Sequence, residues 1–277
     1  MRKLRLPMGD EIPVLGQGTW RMGEQANKRA DEVKTLQLGL DLGMTLIDTA
    51  EMYADGKSEE VVAEAIAGKR DQVFLVTKAL PSNAARKSVV AAAERSLKRL
   101  KTDRIDLYLL HWRGGVPLAE TMAGFHDLMQ AGKIRSYGVS NFDVNDMKEW
   151  LALKGGAETQ ANQVLYNVGT RGIDFDLVPY QAEQGIPIMA YSPLAQGRFP
   201  RSAALEAVAA RHGVTLGQVM LAWCLRRDSV FAVPKTSRPE GARENAAAGD
   251  LALTAADFAE IDKDFPAPTR AKPLEML

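Results

Sequence analysis

The chain has 277 residues, with 35 Lys or Arg and 35 Asp or Glu, so its formal net charge is zero. A balanced charge provides no basic field to attract nucleic acid or an anionic membrane, and it favours a small, neutral partner. The single cysteine, Cys224, lies in an apolar stretch without an intrachain disulfide partner, which fits a reducing compartment. The sequence shows neither a secretory signal nor an apolar run of membrane-spanning length. We therefore expect a cytoplasmic protein, and we expect it to be a monomer.

Eight short apolar runs alternate with amphipathic helical patterns, at a repeat of about 30 residues. The runs are continuously apolar rather than alternating, which is typical of parallel strands covered on both faces. The predicted strands are 14–16, 45–48, 73–77, 105–110, 134–139, 162–166, 186–190 and 230–233. Eight such units predict an α/β fold, a parallel (β/α)8 TIM barrel forming one domain over residues 1–277. Periodicity alone does not distinguish this barrel from an open, doubly wound sheet.

Two segments lie outside the repeat. Residues 4–13 contain a Gly9-Asp10 turn between short runs, which predicts an N-terminal hairpin that plugs the barrel floor. Residues 239–248 and 254–264 predict two extra C-terminal helices, followed by a proline-rich, loosely held tail. Within the repeat, Ser58 is the predicted N-cap of a helix over 59–66.

Four polar residues stand at or just after the carboxyl ends of predicted strands: Asp48, Tyr53, Lys78 and His111. In a barrel these ends converge on one mouth. A tyrosine with a pKa of about 10 is a sluggish acid at neutral pH. The pattern predicts that Lys78 lowers the pKa of Tyr53, that Asp48 pairs with Lys78, and that neutral His111 donates a hydrogen bond to a carbonyl oxygen.

Each of these residues alone also has a structural interpretation. An aspartate at a strand end often caps a helix or forms an ion pair, and a lysine there often extends its ammonium to solvent. The other two histidines, His126 and His212, are interpreted as structural because they fall inside a helix and at a helix C-terminus. The four candidates favour catalysis only as a set.

The set belongs to seven ordered blocks through which the chain resembles the aldo-keto reductase family. The blocks are LGQGTW (15–20), LIDTAEMY (46–53), VTK (76–78), DLYLLHW (106–112), GKIRSYGVSNF (132–142), AYSPL (190–194) and VPKT (233–236). The resemblance is strongest to bacterial reductases of methylglyoxal-like dicarbonyls and aromatic aldehydes. It implies carbonyl reduction with Tyr53 as the general acid, and a substrate pocket lined by Trp20, Tyr53, His111 and Trp112.

The resemblance also implies NADPH as the cofactor, extended across the barrel mouth, and no metal. The matching positions would hold its carboxamide, nicotinamide ring, pyrophosphate, 2′-phosphate and adenine. They are Gly18, Thr19, Trp20, Asp48, Ser140, Asn141, Gln163, Tyr191, Ser192, Leu194, Lys235, Thr236, Arg238, Glu244 and Asn245. The loop 16–21 does not fit a Rossmann fingerprint, because its final position is Arg21 rather than glycine.

One position departs from the family pattern. Many members carry an arginine three residues before the Glu244-Asn245 pair, whereas this chain has Gly241. Arg238 and Arg243 are the candidates to replace its guanidinium. We expect NADPH to be preferred over NADH, with the margin depending on Arg238.

Two other functions remain compatible with the residues alone. A cofactor-binding sensor on the same fold would need a partner-binding region, and no large insertion is apparent. An aldolase using Lys78 as a Schiff base is disfavoured because Asp48 would keep that amine charged. The sequence does not identify the substrate beyond a small aldehyde, ketone or dicarbonyl.

Overall fold

The computed structural model describes residues 1–277, and ten strands form two sheets. Two strands pair antiparallel at the N-terminus, and eight parallel strands follow in strict chain order. The small sheet contains β1 (Lys3–Arg5) and β2 (Glu11–Pro13). The large sheet contains β3 (Gln17–Gly18), β4 (Leu46–Asp48), β5 (Phe74–Ala79), β6 (Ile105–Leu110), β7 (Ile134–Ser140), β8 (Asn162–Leu165), β9 (Ile188–Tyr191) and β10 (Val230–Ala232).

The parallel sheet closes on itself between its first and last strands. Leu15 forms a parallel bridge with Ala232, and the amides of Gly16 and Gly18 donate to the carbonyls of Ala232 and Pro234. These bonds exclude the open sheet and confirm the predicted (β/α)8 barrel. Residues 14–16 hydrogen-bond to β10, whereas Gln17 and Gly18 pair with β4. The strand β3 therefore starts at Gln17, three residues after the predicted start.

Ten α-helices accompany the strands. They are α1 (Arg29–Asp41), α2 (Lys57–Ala65), α3 (Arg86–Leu100), α4 (Leu118–Gln130), α5 (Val144–Leu151), α6 (Leu177–Glu183), α7 (Ala203–His212), α8 (Leu216–Cys224), α9 (Pro239–Ala248) and α10 (Ala255–Asp264). The last two are the predicted extra helices, and α10 is capped by the Thr254 side chain. None of the ten is both long and apolar enough to cross a membrane.

The N-terminal hairpin and the C-terminal tail are both held against the barrel. The hairpin buries Leu4, Leu6 and Ile12, and the Met8 amide donates to Gln160 Oε1 at 2.9 Å. The tail has no regular secondary structure, but Leu274 packs on the core and the Leu277 amide donates to Tyr191 OH at 3.4 Å. The tail that the sequence predicted to be loosely held is mostly exposed and makes these two contacts with the barrel.

Several predicted boundaries shift by one to three residues. The shifts with consequences are at the carboxyl ends, where β5, β7 and β9 extend to Ala79, Ser140 and Tyr191. Lys78 thus lies inside a strand instead of after it. The prediction that Ser58 caps a helix is also wrong, because α2 begins at Lys57 and the Ser58 hydroxyl bonds elsewhere.

Candidate active site

A cavity of about 760 Å³ opens at the carboxyl ends of the barrel strands, within the usual size range of ligand pockets. All but one of the predicted site residues line it. They are Gly18, Thr19, Trp20, Asp48, Tyr53, His111, Trp112, Ser140, Asn141, Gln163, Tyr191, Ser192, Leu194, Lys235, Thr236, Arg238, Glu244 and Asn245. The exception is Lys78, which has no exposed surface and lies behind Asp48 and Tyr53.

Lys78 and Asp48 form a buried ion pair across adjacent strands. Asp48 of β4 lies opposite Val76 of β5, so Lys78 projects from the same face two residues nearer the mouth. Its Nζ lies 2.8 Å from Asp48 Oδ1 and donates to the Thr49 carbonyl at 2.8 Å. Gln163 Nε2 donates to the same carboxylate oxygen at 2.9 Å. This pairing is the one that the sequence predicted.

Burial alone would lower the pKa of Lys78, but the carboxylate of Asp48 and the phenol of Tyr53 outweigh it. The pKa of Lys78 therefore lies above its ordinary value. The amine stays protonated at neutral pH and is a poor nucleophile, which argues against a Schiff base.

Tyr53 places its hydroxyl next to this cation. Lys78 Nζ donates to the Tyr53 oxygen at 3.3 Å and lies 4.8 Å from the ring centroid. The ring also makes edge-to-face contact with Trp20, at a centroid distance of 4.9 Å, and with His111 at 5.8 Å. The phenol is thus held by packing on two sides, with its oxygen directed at the ammonium.

The net pKa of Tyr53 differs from the prediction. Burial raises the pKa of the phenol, and Lys78 offsets only part of that increase. The predicted lowering is therefore wrong in net direction, because desolvation of the phenolate exceeds its attraction to Lys78. The consequence is a tyrosine that keeps its proton at neutral pH, as a proton donor requires.

His111 follows β6 and faces the cavity as a neutral imidazole. Burial, together with the charge of Lys78, holds its pKa well below the ordinary histidine value. Its Nδ1 is buried without a hydrogen-bond partner. Such an unsatisfied atom is costly in a folded protein, and because Nδ1 is not exposed to the cavity, Nε2 is the ring nitrogen that a ligand can reach.

A hydrogen-bonded chain of polar residues continues around the mouth from His111. Asn141 Nδ2 donates to the His111 carbonyl at 3.1 Å, and Tyr191 OH donates to Asn141 Oδ1 at 3.1 Å. Ser140 Oγ donates to the Gln163 carbonyl at 2.8 Å. Asn141 has φ 57°, a left-handed conformation that asparagine adopts more readily than most non-glycine residues.

The far end of the cavity is basic. Lys235 Nζ donates to Ser237 Oγ at 2.7 Å, and Arg238 also lines the cavity, whereas Arg243 does not. A Cβ on Gly241 would lie 2.4 Å from Thr236 Oγ1. The space of the family's arginine is thus already taken by Thr236, and the structure favours Arg238 over Arg243 as its replacement.

These features fit a phosphorylated dinucleotide. A Cβ on Gly18 would lie 2.7 Å from the Val233 carbonyl, so glycine lets the first loop approach the last strand closely. His111 and Tyr53 line the cavity from the end of β6 and the loop after β4, and Lys235 and Arg238 line it from the segment after β10. An elongated ligand with a polar ring at one end and a phosphate at the other fits this distribution of polar and basic groups.

Sequence reasoning missed three stretches of the cavity wall. They are 196–199, 215–217 and 276–277, together with Arg21, Met52, Pro193, Val233 and Ser237. The first stretch follows the predicted Ser192 and Leu194 directly, so its place in the chain was a usable signal. The other two are brought to the mouth only by the tertiary fold.

A family model described as the aldo/keto reductase family matches residues 14–264. The chain belongs to this family. It is 47% identical to methylglyoxal reductase YeaE of Escherichia coli over 271 residues, covering 96% of this chain and 95% of the relative. It is 32% identical to a glyoxal reductase of Bacillus subtilis, covering 94% and 91%.

Solved structures agree with this assignment. An aldo-keto reductase from Klebsiella pneumoniae in complex with NADPH superimposes with a TM-score of 0.96 at 44% identity, covering 100% of this chain and 99% of that one. Family membership makes the protein an oxidoreductase that acts on CH–OH groups, and it excludes the aldolase alternative.

Proposed function

We propose that the protein reduces small aldehydes and dicarbonyls with NADPH, with Tyr53 as the general acid. The observation that carries the proposal is the Tyr53 hydroxyl, protonated and 3.3 Å from the ammonium of Lys78 at the wall of the cavity. A buried phenol beside a cation can give up its proton to a developing alkoxide, because the cation stabilises the phenolate that remains.

The cavity residues divide into two groups around the cofactor. Ser140, Asn141, Gln163 and Tyr191 would hold the nicotinamide end. The other end would be held by residues of the loop after β9 and the segment after β10: Ser192, Leu194, Lys235, Thr236, Arg238, Glu244 and Asn245. Residues of the first loop, Gly18, Thr19 and Trp20, would also contact the cofactor, with Trp20 beside Tyr53. When bound, NADPH supplies the hydride. The basic end suits a 2′-phosphate, so NADPH is preferred and NADH is used less well.

The residues of the chain then perform three tasks. His111, held neutral by burial, donates a hydrogen bond to the carbonyl oxygen and orients it. Tyr53 transfers its proton to the same oxygen as negative charge develops there. Lys78, anchored by Asp48, stabilises the resulting phenolate. No metal is required.

The pocket walls favour a small substrate with an apolar part. Trp20, Met52 and Trp112 line the cavity beside Tyr53 and His111. The names of the Escherichia coli and Bacillus subtilis relatives support methylglyoxal-like dicarbonyls as one class. Aromatic aldehydes are a second class that flat aromatic walls can pack against.

The decisive variant is Tyr53→Phe, which keeps the ring and removes the transferable proton. We expect kcat for methylglyoxal and benzaldehyde to fall by at least about 10²-fold, the lower end of the usual contribution of a general acid. The Kd for NADPH, measured by quenching of tryptophan fluorescence, should stay close to that of the wild type. Retained turnover would remove Tyr53 from this role.

A panel of aldehydes with the wild type separates the enzyme from a cofactor-binding sensor. Consumption of NADPH is followed by its absorbance. Tight NADPH binding without turnover of any aldehyde would favour the sensor and would contradict the proposal.

A further inference from the structure

Directly after Tyr53 the chain passes through three consecutive residues with left-handed backbone. The φ angles are 49° at Ala54, 52° at Asp55 and 85° at Gly56. Alanine and aspartate adopt this region at an energetic cost and persist there only where the surrounding structure holds them. The position of the Tyr53 hydroxyl therefore depends on contacts that fix the end of this turn, at the start of α2.

Glu59 in the first turn of α2 makes two such contacts. Its carboxylate has no exposed surface, Thr77 Oγ1 donates to Oε1 at 2.7 Å, and Arg99 Nε donates to Oε2 at 2.5 Å. Thr77 directly precedes Lys78 in β5, so alternation puts Thr77 on the outer face and Lys78 on the inner one. Glu59 thus ties the start of α2 to the strand that carries Lys78.

Arg99 also packs on the turn itself. A Cβ on Gly56 would lie 2.5 Å from Cδ and from Nε of Arg99. The Arg99 side chain that pairs with Glu59 therefore packs against the left-handed glycine, three residues after Tyr53. A bulkier residue at this position would have to displace Arg99.

Ser58 joins the start of α2 to two further loops of the mouth. Its Oγ lies 2.8 Å from Thr19 Oγ1, and Thr49 Oγ1 donates to it at 3.2 Å. Thr19 belongs to the first loop, and the Thr49 carbonyl accepts the hydrogen bond from Lys78. All three hydroxyl-bearing residues are fully buried.

We propose that Ser58, Glu59 and Arg99 form a clamp that positions the Tyr53 hydroxyl for proton transfer. None of the three lines the cavity, so they are positioning residues that act through Tyr53. The proposal rests on the proposed function, in which Tyr53 donates the proton. Loosening the clamp at Glu59 should lower kcat and leave the binding of NADPH and aldehyde unchanged.

Steady-state kinetics of Glu59→Gln and Ser58→Ala test this. We expect kcat to fall about tenfold to a hundredfold in Glu59→Gln and less in Ser58→Ala, because a misplaced catalytic group slows the chemical step. In Glu59→Gln the KM for benzaldehyde and the Kd for NADPH should stay near the wild-type values, whereas Ser58→Ala should also weaken NADPH binding, because Ser58 Oγ bonds to Thr19 of the first loop. The matched control is Glu60→Gln, since Glu60 follows Glu59 on α2 but pairs with Arg29 near the surface.

A conservative pair separates positioning from general stability. Arg99→Lys keeps a cation near Glu59 and should retain more kcat than Arg99→Ala, even where both lower the melting temperature equally. Wild-type kcat in both Glu59→Gln and Ser58→Ala would overturn the clamp. So would equal losses in kcat and in NADPH affinity in Glu59→Gln, because they would indicate a general disturbance.

Hydrogen exchange gives a readout that needs no turnover. Amides of the segment 53–58 should exchange faster in Glu59→Gln than in the wild type or in Glu60→Gln. Unchanged exchange in Glu59→Gln would overturn the clamp, whatever the activity of that variant. A wild type that reduces no aldehyde would instead contradict the proposed function, while the exchange rates would still decide the clamp.

Discussion

Two buried aspartates, one in the barrel mouth and one between peripheral helices, have opposite surroundings. Asp48 has Lys78 and Gln163 as its side-chain donors, and burial raises its pKa despite them. Asp257 on α10 also loses its exposure to water, but hydrogen bonds from Thr254, His212 and Arg211 outweigh burial and hold its pKa well below the ordinary value.

The difference separates a structural carboxylate from a functional one. Asp257 is saturated with donors: the Thr254 amide at 2.8 Å, Thr254 Oγ1 at 2.7 Å, His212 Nε2 at 2.8 Å, and Arg211. Asp48 is less well satisfied, and its partner Lys78 contacts Tyr53 as well. The charge of Asp48 is not fully compensated by its donors, so an electrostatic field remains at the phenol of Tyr53. The charge of Asp257 is fully compensated by its donors, which join α7 to α10, and no such field remains.

Lys78→Met should break the functional pair with the largest effect. It removes the cation beside Tyr53 and leaves Asp48 unpaired, so we expect kcat to fall by at least about 10²-fold. The carboxyl of Asp48 should then take up a proton instead of remaining as a buried charge. Stopped-flow measurement of NADPH oxidation in single turnovers checks the loss in the chemical step.

Lys69→Met is the matched control for this variant. Lys69 pairs with Asp41 at 2.7 Å on the surface, so its loss should change neither kcat nor stability appreciably. An unchanged single-turnover rate in Lys78→Met would show that the pair is structural, like that of Asp257.

Asp257→Asn should break the structural network and leave catalysis intact. Removing the charge weakens several hydrogen bonds to a carboxylate whose partner Arg211 is half exposed, so it should cost about 1.5 to 3 kcal/mol of unfolding free energy. Denaturation by urea measures this loss, and kcat should equal that of the wild type. The control is Glu260→Gln, because Glu260 shares Arg211 with Asp257 but is partly exposed, with a side-chain exposure of 28%. It should cost less than about 1 kcal/mol.

The two aspartates should also respond oppositely to pH. A carboxyl with a lowered folded-state pKa stabilises the fold above its unfolded pKa of about 3.9, and this contribution is lost as the pH falls towards the lower folded value. The stability difference between the wild type and Asp257→Asn should therefore shrink below about pH 4. Asp48 has the opposite sign, since ionising it in the folded state costs stability as the pH rises above about 3.9. Urea denaturation between pH 3 and 6 checks this, and a pH-independent difference would contradict the assignment for Asp257.

Sequence patterns predicted the barrel and the residues of its mouth because both can be recognised in short segments of the sequence. An apolar run ending in a polar residue is visible locally, as at Asp48 and His111. The direction in which the pKa of Tyr53 shifts was not predictable, since burial raises this pKa and Lys78 lowers it. Only the folded structure shows how deeply the phenol is buried. Ser58 was misassigned for a related reason, because its partner Thr19 lies in a distant loop.

The smallest predicted effect concerns the basic end of the cavity. Both Arg238 and Arg243, five residues further along the chain, are exposed, but only Arg238 lines the cavity. Arg238→Ala should lower kcat/KM for NADPH by about tenfold, the value of one hydrogen bond to a charged group, and should hardly change that for NADH. Arg243→Ala is the control and should change neither.

Gly241→Arg sharpens the same comparison. The space that a Cβ would enter is taken by Thr236 Oγ1, at 2.4 Å, so the family's arginine cannot simply be restored. We expect the single variant to lose NADPH preference, and we expect Thr236→Gly combined with Gly241→Arg to regain part of it, since removing the Thr236 side chain frees that space but also removes a hydroxyl from the cofactor site. A single Gly241→Arg variant with improved NADPH preference would show that Thr236 yields easily, and the absence of arginine would then have no steric cause.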